Sequence, residues 1–166
     1  MQRESILIFV TVGTQLSFDR LVKQAENWAL ENNYTDIVFQ VGSKGYKPLT
    51  GRSFEFISGK EADDYFNEAS VVIGHAGMGT ILSCLSEGKP LVVMPRLYTL
   101  NEHRNDHQLA TYTKLKYLDG LFPADDELTL NNAINDALKS NSKSHAFNSR
   151  APVEITDYIK SRIYSF

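Results

Sequence analysis

Short apolar blocks alternate with amphipathic blocks along the first 140 residues of the chain. The apolar blocks are rich in β-branched residues, which is typical of strands covered on both faces. They lie at 5–12, 36–41, 54–57, 71–73 and 91–94. Because amphipathic segments separate most of these blocks and the connections are short, the pattern predicts a parallel, doubly wound α/β sheet.

Apolar residues in the remaining blocks recur at the spacing of one helix face. The first predicted helix begins at Ser17 or Asp19 and ends at Asn32 and Asn33. Later helices are expected at 61–69, between Gly79 and Gly88, from about Asp106 to 115, at 126–139 and at 152–164. One more short strand is expected at either 117–118 or 121–122, and the serine-rich stretch 140–149 is expected to be a loop.

Two predicted strands run directly into glycine-containing turns that precede helices. Gly74, Gly77 and Gly79 follow the strand at 71–73, and Gly13 follows the first strand. Small residues there let a ligand approach the backbone, and the first N–H groups of a helix have no intrahelical partner, which suits a phosphate. The spacing matches neither a Walker A loop nor a strict GxGxxG motif. The glycines could equally serve only close packing of strand and helix.

A polar stretch at 96–108 follows the strand at 91–94. Ligands bind at the carboxyl ends of strands in open α/β sheets, so this stretch is a candidate binding segment. His103 and His107 are four residues apart beside Glu102 and Asp106, a spacing that would also allow a metal site on a helix. Polar surface loops commonly carry such residues as well.

The composition narrows the class of protein further. The chain has 166 residues and a net charge of −3, enough for one domain with a core and without the basic patch expected of a nucleic-acid partner. The single cysteine, Cys84, allows no disulfide within the chain and is expected in the core. No apolar run approaches the roughly 20 residues of a membrane span, and the first ten residues lack a signal-peptide pattern. A cytoplasmic location is therefore expected.

Four segments together carry a resemblance to a known family. They are VTVGTQLSFDRL at 10–21, HAGMGT at 75–80, EGKPLVVMPR at 87–96 and NEHRNDHQ at 101–108. In this order they resemble the donor-binding C-terminal domain of family 28 glycosyltransferases, with the likeness strongest over 6–115. The chain is most similar to single-domain subunits of split enzymes, which include bacterial exopolysaccharide and capsule transferases and the catalytic subunit of eukaryotic dolichol-linked diacetylchitobiose synthesis.

The resemblance implies a Rossmann-like domain over 1–166 that forms one lobe of a two-lobed glycosyltransferase. The implied activity is inverting transfer of a sugar from a UDP-sugar to a lipid-linked acceptor in exopolysaccharide or capsule biosynthesis, with no metal and no cofactor beyond the donor. A membrane-anchored partner would supply the acceptor lobe and hold the chain at the cytoplasmic membrane, and an isolated chain could self-associate. One alternative is a non-catalytic accessory subunit. An NAD-binding domain is disfavoured because no acidic residue follows the second strand, where Gln40 to Ser43 lie.

Matching positions to the family's motifs implies the site residues. The implied donor-binding set is Gly13, Thr14, Gln15, His75, Ala76, Gly77, Met78, Gly79, Thr80, Ser83, Arg96, Asn105, Asp106, His107 and Gln108. The candidates for the general base are His75, Glu102 and His103, with Asp19 also considered, and the base could instead belong to the partner. His75 could also be a packed strand-end residue.

Two further assignments stay open at this point. Arg96 and Arg104 could neutralise the leaving diphosphate or be ordinary surface charges. Several relatives carry a ribose-binding glutamate where this chain has Ser83, so the ribose could be held by Ser83 with backbone groups or by Glu87, or the nucleotide could bind in a different position.

Overall fold

The computed structural model describes residues 6–141. The predicted helix at 152–164 and most of the predicted loop at 140–149 lie outside these residues. The strands are β1 (Ile8–Thr11), β2 (Ile37–Gln40), β3 (Arg52–Phe54), β4 (Val71–His75), β5 (Leu91–Met94) and β6 (Leu121–Pro123). The helices are α1 (Asp19–Glu31), α2 (Gly59–Glu68), α3 (Met78–Ser86), α4 (His107–Leu115) and α5 (Glu127–Asn141), with a 3-10 turn at Tyr98–Leu100.

The six strands form one parallel sheet in the order β3-β2-β1-β4-β5-β6. This is a doubly wound, Rossmann-like arrangement, and it confirms the predicted fold class. The chain order reverses between the neighbouring strands β1 and β4, so the loops that follow these two strands diverge to opposite faces of the sheet. Their divergence opens a crevice at the carboxyl edge, where ligands bind in such folds.

A separate apolar layer covers each face of the sheet. Val10 belongs to a cluster that also contains Leu21 of α1 and Ile134 of α5. Its neighbour Phe9 belongs to the opposite cluster, with Ile81 of α3. Successive strand residues point to opposite faces, so both must be apolar, which accounts for the continuous apolar runs in the sequence. Cys84 is buried in the second cluster as expected.

Several predicted elements differ from the structure in their bounds, and α2 covers Gly59–Glu68 rather than 61–69. β3 covers Arg52–Phe54 rather than 54–57, because its pairing with β2 ends at Gln40 and Phe54. Ser58 and Glu61 then form the capping box that begins α2. Of the two alternatives for the last strand, the structure has the one at Leu121–Pro123. α5 extends to Asn141, beyond its predicted end at 139. The 3-10 turn at Tyr98–Leu100 was not predicted.

Candidate functional site

A cavity of about 740 Å³ lies at the carboxyl edge of the sheet, beside the reversal between β1 and β4. It is bounded by the loop after β1, the first turn of α3, one side of α2 and three residues that follow β5. The predicted site residues that line it are Gly13, Thr14, Gln15, His75, Gly79, Thr80, Ser83, Arg96, His103 and Gln108. Folding therefore brings residues from all four sequence segments that carry the resemblance to one cavity.

The first turn of α3 presents unpaired backbone donors to this cavity. Gly77 is the N-cap, and no side chain caps the helix, so the first N–H groups of α3 have no intrahelical acceptor. A Cβ added at Gly79 would meet nothing within 4 Å. Glycine weakens a helix by about 1 kcal/mol relative to alanine, and no neighbouring protein atom requires glycine at position 79. The open space there is suited to a ligand that approaches the backbone closely.

Two other glycines accommodate His75. A Cβ on Gly13 would lie 2.7 Å from His75 Cε1, and a Cβ on Gly77 would clash with His75 Nε2. Gly13 also has a φ of +78°, which disfavours residues with a side chain. The imidazole is thus held between the ends of β1 and β4. Gly13 and Gly77 are explained by histidine packing, whereas Gly79 is not.

Burial makes His75 a weak base. Burial, and then the nearby charges of Arg96 and His103, lower the pKa of His75 to about 4. The ring is therefore neutral at neutral pH, and its buried Nδ1 atom has no hydrogen-bond partner. Among the two interpretations of His75 from sequence, the packed strand-end residue agrees with this geometry, and a role as general base does not.

The packing of His75 makes Gly77→Ala a destabilising substitution. We expect Gly77→Ala to lower the free energy of unfolding by about 1–3 kcal/mol, because the new methyl group overlaps the imidazole. Gly77→Ala combined with His75→Ala should cost less than the sum of the two single changes, by about 1 kcal/mol or more. Urea unfolding measures all three variants. Gly79→Ala is the matched control, expected to be neutral or slightly stabilising, and additive effects of the pair would contradict the assignment.

Glu102 was predicted as a candidate base, and the structure corrects this prediction. Its carboxylate accepts from Arg20 Nε at 2.7 Å and from Arg20 Nη2 at 2.8 Å. The backbone N–H of Leu97 donates to the same carboxylate at 2.9 Å, and Glu102 does not line the cavity. A carboxylate held by a bidentate arginine is poorly placed to take a proton from an acceptor. Asp19 is occupied in a similar way, since its Oδ1 accepts from the Tyr46 N–H.

His103 is the remaining candidate base, and it lines the cavity. Its Nδ1 lies 3.2 Å from both the backbone oxygen and the side-chain oxygen of Asn105. A backbone carbonyl can only accept, so Nδ1 carries the proton and donates. In the neutral ring the Nε2 atom then holds the lone pair. Asn105 thereby selects the tautomer that can accept a proton at Nε2.

Arg96 is neither a surface charge nor free to bind a diphosphate. The residue is only 2% exposed, and its terminal nitrogens donate to backbone carbonyls of the loop after β1. Burial lowers its pKa to about 10, which leaves the guanidinium protonated at neutral pH. Arg104 is exposed and does not line the cavity.

Several predicted donor-binding residues do not line the cavity. Ala76 is buried in the core. Gly77 and Met78 are half-buried, whereas the neighbouring Gly79 is exposed. Asn105 instead orients His103, and Asp106 accepts from the Tyr98 N–H at 3.3 Å. His107, the last predicted donor-binding residue that does not line the cavity, is exposed. At Asn105 and Asp106 the motif position is occupied, but the side chain makes other contacts.

The structure also adds residues that the sequence did not single out. Ala62, Asp63, Phe66 and Asn67 line the cavity from α2, and Ser86 lies beside Ser83 and Glu87 on α3. The α2 residues share one helix face by their spacing of three and four, but nothing in the sequence places α2 beside this cavity.

Residues 6–141 contain neither a metal-binding cluster nor a membrane-spanning helix. In this part of the chain, no group of three or more His, Cys, Asp or Glu residues is placed to hold a metal ion. The two histidines and two acids of the polar stretch therefore do not form such a group. The same residues include no helix that is both long enough and apolar enough to cross a bilayer.

Comparisons with known proteins identify relatives. A mouse UDP-N-acetylglucosamine transferase subunit, ALG13, is 38% identical over 106 residues, and the human subunit is 33% identical over 107. Each alignment covers 58% of this chain and 9% of the relative, so the chain matches about a tenth of the length of these proteins.

Solved structures show the same fold. The calicheamicin glycosyltransferase CalG4 superposes with a TM-score of 0.57 at 13% identity, covering 97% of this chain and 45% of that one. An NMR structure of ALG13 gives a TM-score of 0.52 at 19% identity and covers 89% of this chain and 90% of that one. The sequence model of the glycosyltransferase family 28 C-terminal domain matches residues 7–161. The resemblance predicted from the four segments is confirmed, and the chain belongs to the glycosyltransferase family 28 C-terminal domain family.

Proposed function

We propose that this chain is the donor-binding subunit of an inverting glycosyltransferase that transfers a sugar from a UDP-sugar to a lipid-linked acceptor. The observation that carries the proposal is the uncapped N-terminus of α3, which opens into the cavity at Gly79 with space beside the backbone. Family membership supports the reaction class. The mammalian relatives are UDP-N-acetylglucosamine transferase subunits, which makes UDP-N-acetylglucosamine the first donor to test.

The donor diphosphate is placed at the start of α3. Backbone N–H groups of Gly79 and Thr80 and the Thr80 hydroxyl are the groups we assign to its oxygens. The positive end of the helix dipole favours an anion there. Negative charge grows on the diphosphate as the bond to the sugar breaks, so these donors stabilise the leaving group more than the bound donor. The nucleoside then extends towards Ser83 and Glu87, which line the cavity farther along α3.

Inversion requires a base on the face of the sugar opposite the leaving group. We assign this task to Nε2 of His103, because the other candidates from sequence, His75, Glu102 and Asp19, are buried or paired. The acceptor hydroxyl gives its proton to Nε2 while its oxygen forms a bond with the anomeric carbon, and the nucleoside diphosphate leaves with the electron pair of the broken bond. Asn105 keeps the proton on Nδ1 throughout.

The acceptor lobe is assigned to a second, membrane-anchored chain. The cavity lies at one edge of a single sheet, whereas calicheamicin glycosyltransferase CalG4 is about twice the length that this chain matches. The subunit wording in the names of the mammalian relatives agrees with a divided enzyme. We propose a location at the cytoplasmic face of the membrane through that partner, with exopolysaccharide or capsule synthesis and lipid-linked oligosaccharide synthesis as the pathways to be separated by acceptor assays.

Ligand-dependent stabilisation tests the proposed donor. We expect UDP and UDP-N-acetylglucosamine at 100 times their Kd to add about 2.7 kcal/mol to the free energy of unfolding, which raises the melting temperature by roughly 5–10 °C in a domain of this size. GDP-sugars and NAD are the controls and should give no shift. Failure of uridine nucleotides to shift melting, with and without the partner, would favour an accessory subunit.

A further inference from the structure

The guanidinium group of Arg96 donates hydrogen bonds to three backbone carbonyls of the loop between β1 and α1. Its Nη2 donates to the carbonyls of Val12 at 2.8 Å and Leu16 at 2.6 Å, and Nη1 donates to the carbonyl of Ser17. The three carbonyls flank Gly13, Thr14 and Gln15, which line the cavity. A buried guanidinium without acceptors would be costly, so these bonds favour one loop conformation.

A second arginine, Arg20, contacts the segment that precedes His103. Arg20 holds the carboxylate of Glu102 through two bonds and donates to the Pro95 carbonyl at 2.9 Å. Glu102 also accepts from the Leu97 N–H, which closes a small loop at 97–102. The next residue along the chain is His103. The bonds of Glu102 therefore fix the backbone next to His103, and with it the position of His103 at the cavity.

Both arginines contact the ring of Phe18, and both also contact Glu102. Both guanidinium carbons lie over the ring of Phe18, Arg96 at 4.8 Å and Arg20 at 5.3 Å from its centroid. Arg96 Nη1 also approaches the Glu102 carbonyl at 3.4 Å. We define Phe18, Arg20, Arg96 and Glu102 as the clamp. It connects the loop after β1 with the segment that precedes His103.

We propose that Arg96 and Glu102 are positioning residues: the clamp sets the separation between the Gly13–Gln15 loop and His103 across the cavity. This inference rests on the proposed function for its catalytic meaning. Direct binding of the diphosphate by Arg96 does not agree with the geometry, because both of its terminal nitrogens already donate to carbonyls.

Arg96→Lys separates positioning from direct binding. Lysine keeps the charge, but a single ammonium replaces the planar fork and does not stack on Phe18 in the same way. We expect the backbone order parameters at 14–16, measured by NMR relaxation without ligand, to fall from about 0.85 to below about 0.6. In the complex with its partner, kcat should fall about 10- to 100-fold, with the Kd for UDP changed less than about threefold.

Glu102→Gln tests the other half of the clamp. Loss of the bidentate bond to Arg20 should shift and broaden the imidazole resonances of His103 while residues 14–16 stay rigid. Glu55→Gln is the matched control, because Glu55 forms an exposed ion pair with Lys47 at 2.9 Å and does not line the cavity. It should leave the loop order, the His103 resonances and kcat unchanged.

The outcomes distinguish the alternatives. Unchanged order at 14–16 in Arg96→Lys, or a Kd for UDP that rises as much as kcat falls, would overturn the role of Arg96. If Arg96→Lys does not fold, Glu102→Gln decides alone, and unchanged His103 resonances would refute the clamp. A wild-type chain that binds no uridine nucleotide would refute the proposed function, but the ligand-free order parameters would still report on the clamp.

Discussion

Gly79→Asp is expected to abolish binding of UDP while leaving the fold intact. The new carboxylate would occupy the open space beside the first turn of α3, where we place the diphosphate. Two unit charges about 4 Å apart at an effective dielectric of about 20 repel by about 4 kcal/mol, so the Kd for UDP should rise at least about 100-fold. Isothermal titration with UDP and UDP-N-acetylglucosamine measures this loss.

The folding consequence of Gly79→Asp has the opposite sign. An acidic residue in the first turn of a helix interacts favourably with the helix dipole, and glycine is the weaker helix former at this position. The ligand-free variant should therefore melt at the same temperature as the wild type or slightly higher. A loss of UDP binding accompanied by lower stability would indicate misfolding instead of charge repulsion at the site.

Leu128→Asp is the matched control for Gly79→Asp. Leu128 is the second residue of α5, as Gly79 is of α3, and it is 70% exposed. The substitution adds the same charge to the first turn of a helix that does not line the cavity. UDP binding should not change. Equal loss in both variants would mean that net charge, and not the position at α3, governs binding, and would contradict the proposed donor site.

The second large effect is expected at His103. His103→Gln should lower kcat about 10²- to 10⁴-fold, which is the usual contribution of a positioned acid or base. The Kd for the donor should change little, because we assign the diphosphate to α3 and not to His103. Release of UDP from the donor, measured with the partner chain and membranes that contain the acceptor, gives kcat.

Two companion experiments distinguish proton transfer from a structural role of His103. His103→Ala should regain part of its activity when imidazole is added, because free imidazole can occupy the vacated space and accept the proton. Asn105→Ala should give a smaller loss of kcat than His103→Gln, since it removes one of the two oxygens that hold the Nδ1 proton. Full activity of His103→Gln with the partner present would place the base on the partner.

The fold could be predicted because its signals are local. A strand buried on both faces needs apolar residues at consecutive positions, and a helix needs them at every third or fourth position. The apolar runs that correspond to β1, β2, β4 and β5, with the helices between them, therefore identify an alternating α/β chain. The predicted position of β3 is wrong because Arg52 and Ser53 are exposed, so no apolar run marks this strand. The apolar run at 54–57 begins at Phe54, the last residue of β3.

The motif glycines have different roles that their spacing in the sequence does not distinguish. Their spacing predicts a turn with close backbone approach, but it does not say what approaches. Packing against His75 explains Gly13 and Gly77, and only Gly79 is open to a ligand. The distinction depends on the position of the His75 imidazole between β1 and β4. These two strands become neighbours only when the sheet forms, so the spacing of the glycines does not show it.

The roles of the charged residues were decided by tertiary structure for the same reason. Glu102 looks like a free acid in a polar stretch, yet its partner Arg20 is 82 residues away. Arg96 reads as a surface charge or a phosphate ligand, yet its acceptors lie about 80 residues earlier. The sequence by itself determined the alternating elements, the family and the turns that meet at the cavity, since these depend on local spacing and motif order. The tertiary structure alone decided which polar groups remain available for chemistry, because hydrogen-bond partners and burial are set by which distant segments the sheet makes neighbours.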